Sequence, residues 1–370
     1  MNVASSNELS LPVMDTKQTN GIVVRPFRRD DRPGVRRVLE ATYGSEAPPA
    51  EGYHWWSFGC PDATSGFMVA ETNDAIVGVQ PTNILPYHDG CKHFKGGLLT
   101  GVAVHPEFRR RGIFSALVKA CEKEAWRQDA AFVNTMPNER SRPGFLKLGY
   151  TDLGQRYLLA RPVQSAQAGA RIVPGLGWLI GAAAGGIQKA LKPTSVEEGL
   201  SVRVAERPSP EVPKLALQHA AIFPGLRMGR SAEWWHWRFL ESPTRRYHIL
   251  EARTDQGALA GVGVYTIASR GWHKITYLVD LVVSTEQALQ AIVHRLCENA
   301  ATEECHAVGV VVSSIPLAKA LVRAGLWIVP AWLPIKKFYS VVRFNPACDV
   351  PQAWHSLRGW YQTFADWDSI

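Results

Sequence analysis

A chain of 370 residues, 46% of them apolar and 10% aromatic, carries enough apolar material for two ordinary domains and excludes a disordered or fibrous polymer. Basic residues outnumber acidic ones by 41 to 33, and the resulting net charge of +8 favours anionic ligands. No helix-turn-helix, zinc-finger or RNA-recognition signature accompanies the arginine clusters at 25–29, 109–111 and 245–246, so a nucleic-acid partner is not expected.

Residues 1–20 form a polar tail with neither the basic start nor the apolar block of a signal peptide. "GIVVRPFRRDD" then reads as a short strand and turn, and "RPGVRRVLEATY" as a helix with Val35, Val38 and Leu39 at helical spacing. "GFMVAE" (66–71) and "AIVGVQPTNILPY" (75–87) flank the turn-type "TND" and make an antiparallel hairpin. "GGLLTGVAVHP" (96–106) is one apolar strand stopped by Pro106. From Gly112 to Arg127 a stripe of Ile113, Leu117, Val118, Cys121, Ala125 and Trp126 marks an amphipathic helix. "AAFVNT" (130–135) is a strand, "RPGFLKLG" (142–149) a short helix closed by Gly149, and "YTDLGQRYLLAR" (150–161) a final strand region. This order makes residues 21–162 a mixed α/β domain with one central crossover helix.

Ile172 to Gln188 carries no charge over 17 residues, but Pro174 and five glycines interrupt it. It falls short of the roughly 20 apolar residues a membrane span needs. Residues 163–199 are therefore expected to be a linker with a short apolar helix seated in a crevice. Insertion of Trp178, Leu179, Ile180 and Ile187 into a membrane surface is the alternative. Residues 200–370 repeat the earlier order in outline. "WWHWRFLESPTRRYHILEA" (234–252) matches the layout of "HWWSFGCPDATSGFMVAE" (54–71), and such aromatic clusters are more often core than binding site. The six cysteines show no C-x-x-C spacing, which fits a reducing compartment and a cytoplasmic location. The histidines show no metal-ligand spacing, so no metal is expected.

The stretch "VAVHPEFRRRGIFSALV" (102–118) concentrates the chemistry. The first peptide N–H groups of a helix have no acceptor within it, and the helix dipole adds partial positive charge there. A turn containing Arg109, Arg110, Arg111 and Gly112 that feeds such a start is a site for an anion as large as a pyrophosphate. The sequence here resembles the GNAT superfamily of N-acetyltransferases. Val102, Val104 and Pro106, then Arg109 and Gly112, stand at the spacing of its strand "V-x-V-x-P" and helix-start "[RQ]-x-x-G-x-[GA]", although Phe114 replaces the small residue, with Ser115 behind it. Its second motif is matched by Phe132, Asn138, Leu148, Gly149 and Tyr150.

The resemblance implies tandem GNAT-like acyltransferase domains with a degenerate second copy, because "STEQA" stands where arginines and glycine would be. It implies acetyl-coenzyme A as cosubstrate, held by Val102, Ala103, Val104, Arg109, Arg110, Arg111, Gly112, Ile113, Phe114, Ser115 and Asn138. The pantetheine amides would pair with the edge Thr100–Val104, the thioester would lie where this strand parts from its neighbour near 132–135, and an N–H near Val102 would bind the oxyanion. The acceptor is a primary amine on a small molecule, an amino sugar among the candidates. A protein that only senses acyl-coenzyme A, and an enzyme using longer acyl chains at a membrane surface, are the rival readings. Relatives often protonate the thiolate with a tyrosine where Phe145 stands here, so the resemblance leaves the acid and base to other groups. Glu71 and Glu139 are the candidate carboxylates, while His54 and His105 read as polar loop residues. Asp366 and Asp368 are expected to face water, and a terminal carboxylate at Ile370 returning to the site is a further option.

Overall fold

The computed structural model describes residues 21–163, 199–270 and 273–367. The tail, the uncharged run at 172–188, Asp368 and Ile370 lie outside the described residues. Among the described residues no helix is long and apolar enough to cross a membrane.

In the first half the elements are β1 (Val23–Pro26), α1 (Arg32–Tyr43), α2 (Ala50–Phe58), β2 (Thr64–Ser65), β3 (Met68–Thr72), β4 (Ala75–Gln80), β5 (Thr82–His88), β6 (His93–Leu99), β7 (Ala103–Val104), α3 (Ile113–Arg127), β8 (Ala130–Thr135), α4 (Arg142–Lys147), β9 (Thr151–Gln155) and β10 (Tyr157–Pro162). The second half contributes β11 (Leu200–Ala205), α5 (Val212–Ile222), β12 (Arg227–Met228), α6 (Ala232–Leu240), β13 (His248–Thr254), β14 (Leu259–Arg270), β15 (His273–Val283), α7 (Glu286–Thr302), β16 (Ala307–Val312), α8 (Ile315–Arg323), β17 (Trp327–Ile328) and β18 (Tyr339–Phe344).

Two expected strands are broken. Pro81, which lacks an N–H for the ladder, divides the second arm of the hairpin into β4 and β5. The stretch 96–106 changes partner: β6 pairs with β5 and β8, whereas β7 pairs with β4. The break falls at Gly101, whose φ of +53° suits glycine. The break separates a small four-stranded sheet, β1-β3-β4-β7, from the first of two large sheets, β12-β5-β6-β8-β18-β9, in which β2 also pairs with β5.

The region 150–161 holds two strands, and they belong to different sheets. β9 ends at Gln155, and from Tyr157 to Pro162 β10 pairs with β16 in the second sheet, β11-β13-β14-β15-β16-β10-β17. In return β18 inserts between β8 and β9 in the first sheet, pairing Val341 with Thr135 and Phe344 with Phe132. The halves read from the sequence therefore exchange one strand each, and the sheets do not divide at residues 162–200. Arg156 N–H donates to the carbonyl of Phe338 at 2.7 Å where the exchanging segments meet. With this exchange the two sheets share one plan, since β15 lies parallel to β16 as β6 lies parallel to β8.

Period-2 alternation gives the first sheet two apolar faces. Leu99, Val133 and Val341 pack under α3 with Ile113, Leu117 and Phe145, while Leu98, Phe132 and Val342 join the core between the lobes. The two tryptophan-rich helices meet in that second core, Trp55 stacking on Trp237 at 4.5 Å between ring centroids. The expectation that these aromatics are core holds.

A pH-sensitive contact lies in the second lobe. His219 is buried, its Nδ1 accepts from Val283 N–H at 3.1 Å, and its Nε2 lies 2.7 Å from Tyr361 Oη, so the neutral ring donates from Nε2. Burial, reinforced by Arg227, holds its pKa well below 6.5. Charging this ring opposes folding, so its contribution to stability is present above the unfolded pKa near 6.5 and is lost as the pH falls toward the folded value.

Two measurements test this architecture. Residues 21–163 expressed alone lack the strand between β8 and β9 and should show no cooperative thermal unfolding; a sharp transition from that fragment would show the exchange to be dispensable. Between pH 6.5 and 5, denaturant titrations of the full chain should lose stability more steeply than those of His219→Gln, by up to about 1.4 kcal/mol per pH unit. Identical slopes would mean that His219 takes up its proton as readily in the folded protein as in the unfolded chain.

Candidate active site

The site is built where β6 and β8 part. Their parallel register runs from Lys95–Ala130 to Leu99–Thr135, and Thr135 Oγ1 donates to Leu99 O at 2.9 Å across the last pair. Beyond it Thr100 N–H turns away to Pro81 O, and Gln80 Nε2 holds Thr100 O at 2.9 Å. β8 continues instead into Met136, Pro137 and Asn138. A cavity of about 340 Å³ fills the fork, with Thr100, Gly101 and Val102 on one side and Thr135 to Asn138 on the other. The parting falls at 135, within the expected 132–135, whereas of the expected edge Thr100–Val104 only Ala103–Val104 is strand.

Helix α3 begins beside this fork. Gly112 is its N-cap with φ +78°, Arg110 also has a positive φ of +63°, and no side chain caps the helix. Ala116 N–H is bonded to Gly112 O at 3.0 Å, so Ile113, Phe114 and Ser115 present N–H groups without an acceptor inside the helix. A Cβ at Gly112 would meet nothing within 4 Å, so the turn opens to solvent and glycine is required by φ alone. The three arginines are exposed but not equivalent. Arg109 Nε donates to Val104 O at 3.3 Å, and the Arg111 guanidinium lies over Phe108 at 4.9 Å. Such a turn concentrates donors and positive charge around one anion-sized space.

Phe114, the departure from the motif, turns its ring inward. It meets Phe145 edge-on at 5.1 Å and lies so close to Gly144 that a Cβ there would be 2.9 Å from Cε1. Asn138 lines the cavity, and its Oδ1 accepts from the N–H groups of Arg140 and Ser141 at 3.0 and 2.9 Å, fixing the turn before α4. Ala103 is buried in the core of β7.

The two carboxylates expected from topology stand elsewhere. Glu71 lies on β3 of the four-stranded sheet, its Oε2 2.5 Å from Arg25 Nε, and does not line the cavity. Its side chain is committed to the ion-pair group that also holds Asp31. Glu139 is exposed beside Lys337 at 3.7 Å and is likewise not part of the lining. Among the described residues Glu46 is the only acidic side chain lining the cavity. Tyr43, which also lines it, donates from Oη to Val102 O at 3.1 Å. Both come from the end of α1 and the turn after it, segments that carry no motif.

The second half supplies the remaining wall: Lys336, Lys337, Phe338 and Trp367, joined by Arg156 from the crossing point. Asp366 is buried rather than solvated, with Arg230 Nη2 2.7 Å from Oδ1 and Thr363 N–H 2.7 Å from Oδ2. No group of three or more His, Cys, Asp or Glu side chains suited to a metal occurs among the described residues.

The corresponding fork of the second lobe is filled by the chain itself. Past Tyr277–Gly309, β15 and β16 no longer pair, and residues 360–366 lie between them. Ser313 N–H donates to Gln362 O at 3.1 Å, Tyr361 Oη to Leu281 O at 3.1 Å, and Thr363 Oγ1 to Asp280 Oδ1 at 3.0 Å. At the start of α7, Thr285 Oγ1 accepts from Ala288 N–H at 3.1 Å, so the first turn is capped internally.

Comparison with known proteins agrees with this geometry. Residues 32–150 match the family model described as acetyltransferase (GNAT) family. A GCN5-related N-acetyltransferase from Anabaena variabilis superposes with a TM-score of 0.60 at 15% identity, covering 87% of this chain and 72% of that one. A probable N-acyltransferase from Enterococcus faecalis gives 0.61 at 12% identity, over 87% and 72%. Saccharomyces cerevisiae N-myristoyltransferase with bound myristoyl-CoA gives 0.59 at 11% identity and spans 97% of this chain and 95% of its own. No curated protein sequence matches. The family match is confined to residues 32–150, and the likeness to these solved acyltransferases, at 15% identity or less, is one of fold.

Proposed function

We propose that the protein transfers an acetyl group from acetyl-coenzyme A to a primary amine by direct attack in a ternary complex. The observation that carries this reading is the uncapped start of α3 beside a forked pair of strands that opens into a cavity. The pyrophosphate would take the N–H groups of Ile113, Phe114 and Ser115, with Arg109, Arg110 and Arg111 around it. The pantetheine arm would run along Thr100–Val104, and the acceptor would enter from the face opposite α3. A cavity of about 340 Å³ suits a short acyl group and a small amine.

The amine nitrogen attacks the thioester carbon, the carbonyl oxygen becomes an oxyanion met by an N–H near Val102, and collapse expels the coenzyme thiolate. An alkylamine of pKa near 10 is only about 0.1% neutral at pH 7, so the site must take up a proton. Glu46, as the acid of the cavity lining, is our candidate to accept it. Tyr43, whose hydroxyl reaches the strand edge, is our candidate to protonate the thiolate that Phe145 cannot serve. We assign the second lobe no coenzyme, because an internal cap and the chain's own residues 360–366 occupy the equivalent places.

Calorimetry with acetyl-coenzyme A should find one site per chain, followed by thiol release in the presence of an amine panel. Arg109→Ala and Gly112→Asp should each raise the dissociation constant tenfold or more, about 1.4 kcal/mol. Unchanged affinity contradicts the phosphate assignment, and binding without turnover of any amine leaves a coenzyme sensor instead.

A further inference from the structure

The wall of the cavity that faces away from α3 contains an arginine with unmet donors. Arg156 is 2% exposed, and of its guanidinium nitrogens only Nη2 has an acceptor, Tyr339 O at 3.3 Å. Nε and Nη1 are buried without a partner. Trp367 covers the guanidinium with its ring 3.8 Å away, a cation–π contact that supplies no acceptor. Asp366, a buried acid whose charge acts on Arg156, is already bonded to Arg230 and to Thr363 N–H. Burial pulls the Arg156 pKa down to about 9, the mark of a cation held without adequate compensation. A buried donor left unmet costs more than a typical hydrogen bond returns, and for a charged group the cost is larger. Lys336 and Lys337 line the same cavity, against one carboxylate, Glu46.

The two faces of the sheet separate this arginine from the coenzyme site. α3 and Phe145 pack on one face, whereas Phe338 and Trp367, the ring neighbours of Arg156, belong to the core between the lobes on the other. We propose that the acceptor amine carries its own oxyanion, a carboxylate or a phosphate, and that Arg156 binds it with Lys336 and Lys337 at the rim. This deepens the acyl-transfer reading and rests on it for the identity of the other ligand. Arg156 sits where the two lobes exchange strands, so the guanidinium is held by backbone from both and can orient a small acceptor toward the fork.

The test uses product-like probes on the full chain, both saturated with coenzyme A and free of it. N-acetylglycine, N-acetylglycinamide and N-acetylethanolamine phosphate differ in the anion they carry, and calorimetry should show at least one of the two anionic probes binding ten times more tightly than the neutral amide. Preference for the acid over the phosphate ester assigns a carboxylate, and the reverse assigns a phosphate. Arg156→Gln should abolish the preference and leave coenzyme A affinity within a factor of about two of wild type. Equal binding of all three probes, binding of none, or a preference that survives in Arg156→Gln overturns the proposal. Should that variant fail to fold, the wild-type comparison decides alone. If coenzyme A fails to bind while the anion preference stands, the acyl-transfer reading falls and the oxyanion site does not.

Discussion

The structure depends on the mutual exchange of one strand between its lobes. β18 lies between β8 and β9, and β10 between β16 and β17, so neither sheet is complete without the other half of the chain. An edge left open in either sheet would expose unpaired N–H and C=O groups and, at Val341 and Val342, side chains that are now fully buried. The exchange also fixes the wall of the cavity, because the segment leading into β18 brings Lys336, Lys337 and Phe338 against the fork between β6 and β8.

Two lobes of one plan diverge at the point where chemistry is expected. In the first, a glycine with positive φ starts α3 and leaves donors pointing outward. In the second, a threonine caps α7, and residues 360–366 bond to both arms of the fork. The same physical demand, satisfaction of backbone donors at a helix start, is met by a side chain in one case and by no side chain in the other. The partly buried Arg230, paired with the buried Asp280 and Asp366, secures the plug.

Local patterns in the sequence were informative wherever local physics decides. The stripe from Ile113 to Trp126 became α3, the proline and glycine punctuation around 106–112 became its turn, and the short helix ending at Gly149 became α4. The readings that failed needed partners remote in the chain. Apolar runs cannot reveal that residues 96–106 change neighbours at Gly101, or that Tyr157–Pro162 joins another sheet, because alternation reports burial and not the identity of the pairing strand. Glu71 satisfied a topological argument, yet Arg25 on the adjacent strand claims it. Arg156 carries no motif, and only the crossing of two segments some 180 residues apart buries it against the cavity. Glu46 and Tyr43 are equally silent, since the last residue of a helix and the turn after it fall outside any motif or apolar stripe.

The proposed coenzyme site rests on the amides at the start of α3, and a structure determined with acetyl-coenzyme A bound tests them most directly. The diphosphate should lie within about 3 Å of the N–H groups of residues 113–115, with the pantetheine along Thr100–Val104 and the thioester between Val102 and Thr135. A coenzyme seated in the second lobe, or a turn at 110–115 left without phosphate while the ligand binds elsewhere, would contradict it.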